Sequence, residues 1–75
     1  MLPRLAPTAL ALTVNGRLHA VPAETTVAEL VAELAGEVRM VAVERNGEIV
    51  PRGRWSATPL ADGDRVELVR FVQGG

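Results

Sequence analysis

The sequence contains no cysteine. Disulfides, thiolate nucleophiles and zinc–thiolate sites are thereby excluded, and nothing requires an oxidising compartment, so the cytoplasm is the expected setting. Tyrosine is absent, while histidine and serine occur once each, as His19 and Ser56. From that inventory neither a Ser-His-acid triad nor a Cys-His pair can be assembled, and the chain is read as something other than an enzyme. Lysine is missing too. All eight basic residues are arginines, so no lysine side chain here can accept an isopeptide bond. A net charge of -1 gives no electrostatic ground for binding nucleic acid or an anionic membrane. No run approaches the roughly 18 apolar residues of a membrane span. Met1 to Thr8, interrupted by Pro3 and Pro7, is too short and broken for the apolar heart of a signal peptide and reads as a loose N-terminal extension, residues 1–8.

What remains is globular. At 75 residues the chain makes one domain, expected over residues 9–73, which hides only about 60% of its unfolded surface. A deep cleft is not expected from so small a core, and the chain reads as a partner of other proteins, a monomer on its own. Leu10, Leu12 and Val14 alternate with Ala11 and Thr13 as a strand, and Asn15-Gly16 supplies a turn. A three-residue loop Val14-Asn15-Gly16 pairs Leu12 with Leu18 and Leu10 with Ala20, keeping the leucines together. A two-residue turn instead sets His19 opposite Leu12 and pushes Leu18 outward. The first register is the expected one, with His19 an ordinary surface histidine facing out beside Ala11. Pro22 closes the strand because it has no N–H for a ladder.

Thr26 and Glu29 form the S/T-x-x-E capping box that opens a helix. Val27, Leu30, Val31 and Leu34 recur at i, i+3, i+4 and i+7, which places one apolar stripe under the sheet, with Glu29 and Glu33 on the wet side. Gly36 is the expected stop. A second hairpin follows from Met40 to Arg45 and from Glu48 to Val50. Its Asn46-Gly47 turn sets Arg45 across from Glu48 as a favourable pair. Pro51 ends it, and Arg52 to Trp55 crosses irregularly with Trp55 as a plug at the core edge. Two arginines beside one tryptophan do not make a nucleic-acid site in a chain of this charge. Leu60 anchors the return. Asp62-Gly63-Asp64, before an apolar run, reads as a turn and not as a metal or acid-base pair. Arg65 to Val72 is the last strand.

The order strand, strand, helix, strand, strand, strand describes an α+β roll, a mixed sheet with one helix across one face. The crossover that the helix must make puts the last strand beside and parallel to the first, in the middle of the sheet. That is the β-grasp, or ubiquitin-like, fold. If Val66 and Leu68 face the helix, Val69 and Phe71 emerge on the uncovered face, either tucked under the Arg52 to Leu60 segment or free for a partner. Past them the sequence runs to Gly74-Gly75, which has no side chains and is expected to form a flexible tail, 74–75, able to enter a narrow active site.

Asn46-Gly-Glu-Ile-Val-Pro-Arg52 with Trp55, then Leu60-Ala-Asp62-Gly63-Asp64, an apolar strand and Gly74-Gly75, closely resembles the ThiS family of thiamine-biosynthesis sulfur carriers. Thr26-Val27-Ala28-Glu29-Leu30 matches that family's helix start. The resemblance runs from about Leu10 to Gly75; residues 1–8 depart from it, and Gln73 is bulkier than the small residue often found there.

The resemblance implies a carrier cycle. An E1-like adenylyltransferase, using ATP and magnesium, activates the carboxylate of Gly75. A persulfide sulfur donor converts the acyl-adenylate to a thiocarboxylate, and the sulfur passes to thiazole synthase. Gly75 is then the reactive residue and Gly74 the clearance beside it, with no cofactor bound by the chain itself. Val69, Arg70 and Phe71 are the expected partner interface. The small subunit of molybdopterin synthase shares this fold, tail and activation, but the Val50-Pro51-Arg52 block with Trp55 sides with the thiamine carrier. A β-grasp interaction module with an incidental Gly-Gly is the remaining alternative, and fold by itself does not separate these.

Overall fold

The structure is a computed structural model that describes residues 9–36 and 40–71. The expected extension 1–8 and the tail residues Gly74 and Gly75 lie outside the described residues. In chain order come β1 (Ala9–Val14), β2 (Arg17–Pro22), α1 (Val27–Ala35), β3 (Val41–Arg45), β4 (Glu48–Ile49), a 3-10 helix over Arg52–Ala57, and β5 (Arg65–Arg70). The strands lie in the order β2-β1-β5-β3-β4, with β5 parallel to β1 and antiparallel to β3. This is the expected β-grasp arrangement. The last strand sits in the middle because α1 carries the chain over one face before the second hairpin forms.

The capping box is present in full. Thr26 Oγ1 accepts from the Glu29 N–H at 3.2 Å, and Glu29 Oε1 accepts from the Thr26 N–H at 2.9 Å. Gly36 ends α1 at a φ of 62°, its N–H donating to the Ala32 carbonyl. Val27, Leu30 and Val31 are buried against Leu10, Leu12, Val14, Val43 and Val66, the inward alternation of three strands. Leu34 is only half-buried, and Ala35 takes the fourth buried place. On the helix wheel Leu34 lies within the stripe, but it is near the end of α1, where less sheet lies beneath it.

The first hairpin takes the register not expected. Asn15 and Gly16 form a two-residue turn, both with positive φ (50° and 80°), and Val14 pairs with Arg17, Leu12 with His19 and Thr13 with Leu18. Leu18 is therefore 78% exposed, and His19 shares the face of Leu12, half-buried. Two left-handed residues give the turn a twist that matches the strands, a preference that the exposure of one leucine at an edge does not overturn.

The second hairpin matches its expected register, with Arg45 opposite Glu48 and positive φ at Asn46 and Gly47. The Arg45 guanidinium, however, turns to Asp64 at 2.8 Å. Trp55 is buried, and its indole N–H donates to the Val50 carbonyl at 2.9 Å, with Arg52 stacked 4.9 Å from the ring centroid. No helix among the described residues is long and apolar enough to cross a membrane.

Candidate functional site

Each β5 residue faces either the helix or open solvent. Val66 is fully buried under α1 and Leu68 packs at the core margin, so Val69 and Phe71 stand on the opposite face, 42% and 52% exposed. The segment from Arg52 to Leu60 packs on the helix side, bonding through Thr58 and Leu60 to the residues around the start of α1, and leaves that face uncovered. The pairing Ala42–Val69 and the bond from the Phe71 N–H to the Met40 carbonyl bring Met40 beside them. Leu18, opposite Thr13, and Ile49, opposite Glu44, are on the same face at the outer strands. All five large hydrophobic residues exposed among the described residues thus share one side of the sheet.

Arg70 is separated from its two neighbours. Its guanidinium lies on the helix side and donates to the Leu34 carbonyl at 3.1 Å, near the C-terminus of α1, where a cation complements the helix dipole. Val69 and Phe71 are thus brought together and Arg70 is not. Gly74 and Gly75 lie outside the described residues. Phe71 precedes Gly75 by four residues, a reach of at most about 14 Å in extended chain.

The backbone of β5 is held differently on its two edges. Arg65, Val69 and Phe71 bond towards β3, and the alternate residues turn their polar groups towards β1. The Val66 carbonyl accepts from the Asn15 N–H at 2.9 Å. At Leu68 the β1 backbone has ended, and the Asn15 side-chain amide substitutes for it. Its Oδ1 accepts from the Leu68 N–H at 2.8 Å, and its Nδ2 donates to the Leu68 carbonyl at 3.3 Å.

The start of β5 is clamped by Asp64. Burial on its own pushes this carboxyl up, but hydrogen bonds from the Ala61 N–H, the Asn46 amide and the Arg45 guanidinium, with the charge of Arg45, outweigh it and hold the group below its ordinary value of 3.8. Asp62 Oδ1 accepts from the Ala11 N–H at 2.7 Å, and Gly63 adopts a φ of 85°. Both aspartates serve the turn, as expected. Chemically, the domain offers a rigid strand, an apolar face beside its end and a short run of residues to Gly75.

A profile of the ThiS family matches residues 11–75. The chain belongs to the ThiS family. Within 50 residues it is 42% identical to the sulfur carrier protein ThiS of Bacillus subtilis, covering 67% of this chain and 76% of that one. It is also 44% identical over 64 residues to a thiazole synthase of Paramagnetospirillum magneticum, a match that takes in 85% of this chain. The chain spans only 20% of the length of that thiazole synthase and 19% of a second, from Magnetococcus marinus. A crystal structure of the ThiS thiamine biosynthesis protein from Geobacter metallireducens superposes with a TM-score of 0.74 at 42% identity, covering 88% of this chain and all of that one.

The ThiS resemblance read from Asn46 to Arg52, Trp55 and the Gly-Gly end is therefore borne out. Sequence reasoning missed Leu18, Met40 and Ile49 on the open face. Ile49 and Met40 were readable from strand alternation once Val43 was set inward; Leu18 was hidden by the hairpin register.

Proposed function

We propose that the chain is a sulfur carrier of thiamine biosynthesis that works through the carboxylate of Gly75. Membership of the ThiS family, over nearly the whole sequence, is the observation that carries this reading. A carboxylate is a poor acyl donor. Attack of its oxygen on the α-phosphorus of ATP, with loss of pyrophosphate, makes an acyl-adenylate. The terminal sulfur of a persulfide displaces AMP to give an acyl disulfide, and a second thiol cleaves its S–S bond, leaving the thiocarboxylate and a disulfide. ATP and magnesium belong to an E1-like adenylyltransferase, the sulfur arrives from a persulfide donor, and a thiazole synthase receives it. The setting is the cytoplasm.

Glycine at 74 and 75 leaves room for in-line approach of the carboxylate oxygen to the α-phosphorus and for the later addition of sulfur at the carboxyl carbon. Val69 and Phe71 dock the sheet, so that the tail starts from a fixed place. The two thiazole synthase relatives, each matched by this chain over a fifth of its length or less, favour the thiamine branch over molybdopterin synthesis.

Incubation with a cognate adenylyltransferase, ATP, magnesium, a persulfide source and a thiol reductant is expected to raise the intact mass by the difference between sulfur and oxygen. Deletion of Gly75, or Gly74→Val, is expected to abolish the gain with the fold intact. Equal modification of the truncated protein refutes the reading.

A further inference from the structure

Beyond the Asn15 amide, no described residue pairs with the β1 side of β5. The alternation that turns Asp64, Val66 and Leu68 towards β1 turns the Arg70 N–H and carbonyl the same way, and the chain has by then left at Gly16 for β2. No described residue bonds to either group. A central strand thus becomes an edge strand over its last residues. Beside it is a cleft of about 360 Å3 lined by Val14, Asn15, Arg17, His19, Leu34, Leu68 and Arg70. Its walls are apolar at Val14, Leu34 and Leu68. Arg17, Arg70 and His19 supply the ionisable groups, and no carboxylate lines it among the described residues.

We propose that this cleft binds an extended, acidic segment of a partner protein, which adds to the end of β5 as a short strand. Three features select that occupant. An unpaired N–H and carbonyl on one strand residue are satisfied together by another extended backbone. The apolar walls accept one side chain of the incoming strand. Its alternate neighbours meet Arg17 and Arg70, which match carboxylates in charge and geometry. The segment would lie at the β1 edge of β5 with its contacting side chains on the helix side, across the sheet from Val69 and Phe71, so a partner using both would hold the strand from two sides immediately before the tail. The inference rests on the carrier reading only for the partner's identity, as an enzyme that acts on that tail.

The test uses the full chain and a capped heptapeptide, Thr-Glu-Thr-Val-Thr-Glu-Thr, whose valine and two glutamates share one face of a strand, followed by amide chemical shifts and hydrogen exchange. Shifts are expected at Asn15, Arg17, Leu34, Leu68 and Arg70, with slowed exchange of the Arg70 amide. Arg17→Glu is expected to weaken binding roughly tenfold, through loss of one charge-assisted contact. Leu18→Glu, on the other face, is expected to leave it unchanged. The lysine counterpart of the peptide is expected not to bind.

Several results overturn the proposal. They are shifts confined to Val69 and Phe71, equal binding of the lysine peptide, an Arg70 amide that exchanges as fast with peptide as without, or no binding at all. Cleft resonances that move with protein concentration alone identify a second copy as the occupant, and a Gly75 contact to Leu34 in the free protein identifies its own tail. Either outcome likewise overturns it. No activating enzyme enters this measurement, so its failure leaves the sulfur-transfer experiment standing, and the reverse.

Discussion

Arg45 and Asp64 meet at 2.8 Å and join the end of β3 to the start of β5. The same carboxylate accepts from the Asn46 amide, whose Oδ1 in turn accepts from the Arg65 N–H at 2.9 Å. Asn15 makes the corresponding link at Leu68. Both Asn-Gly turns therefore use the asparagine side chain to grip the strand that leads to the tail. The domain anchors β5 at two points along its length.

Acid should loosen the first anchor. The Asp64 carboxyl is held below its ordinary value in the folded protein, so its stabilisation is complete above about 3.8 and is lost as pH falls through the lower folded value. Asp64→Asn is expected to cost about 1–3 kcal/mol near neutrality, through broken charge-assisted hydrogen bonds. Urea unfolding of both proteins at pH 7 and near pH 3 checks this: the gap should shrink in acid, and a constant gap contradicts it.

Loss of the second anchor should be local. Asn15→Ala removes the amide and strains a residue at a φ of 50°, with an expected cost of about 1–2 kcal/mol. Asn15→Gly keeps the turn and loses only the amide. Hydrogen exchange should show a faster Leu68 amide in both variants, with the larger loss of stability in the alanine one.

Leu30 and Leu34 should differ although both belong to the helix stripe. Leu30 is 1% exposed, and Leu30→Ala is expected to cost about 2–5 kcal/mol. Leu34, half-buried over the cleft, should cost about 1–2 kcal/mol on the same change. Thr26→Ala should cost about 1 kcal/mol through its cap. Thermal or urea denaturation ranks the three, and equal effects at the two leucines contradict the placement of α1.

Phe71→Ala should weaken binding of the cognate adenylyltransferase by roughly tenfold, about 1.4 kcal/mol, with unchanged folding. Calorimetry against that enzyme provides the measurement. Unaltered affinity means that the enzyme grips the carrier elsewhere than on the open face.

By itself the sequence determined what depends on neighbours along the chain. Thr26 and Glu29 are three residues apart and cap the helix wherever it lies; Asn46-Gly47 makes its turn locally; strand alternation puts Val66 inward and Val69 outward; and the run from Asn46 to Trp55 with Gly74-Gly75 carries the family. Tertiary structure decided what depends on where one element stops against another. The register at Asn15-Gly16 was ambiguous because each alternative satisfied one local rule, and turn twist prevailed over the burial of Leu18. Periodicity gave the direction of Leu34 but not its position along the sheet, so its partial exposure followed only from where β1 ends. Arg45 has Glu48 across the strand but reaches Asp64, 19 residues away in sequence. Arg70 faces away from Val69 and Phe71 by the same alternation, but its partner, the Leu34 carbonyl at a helix end, is one that folding alone brings over β5.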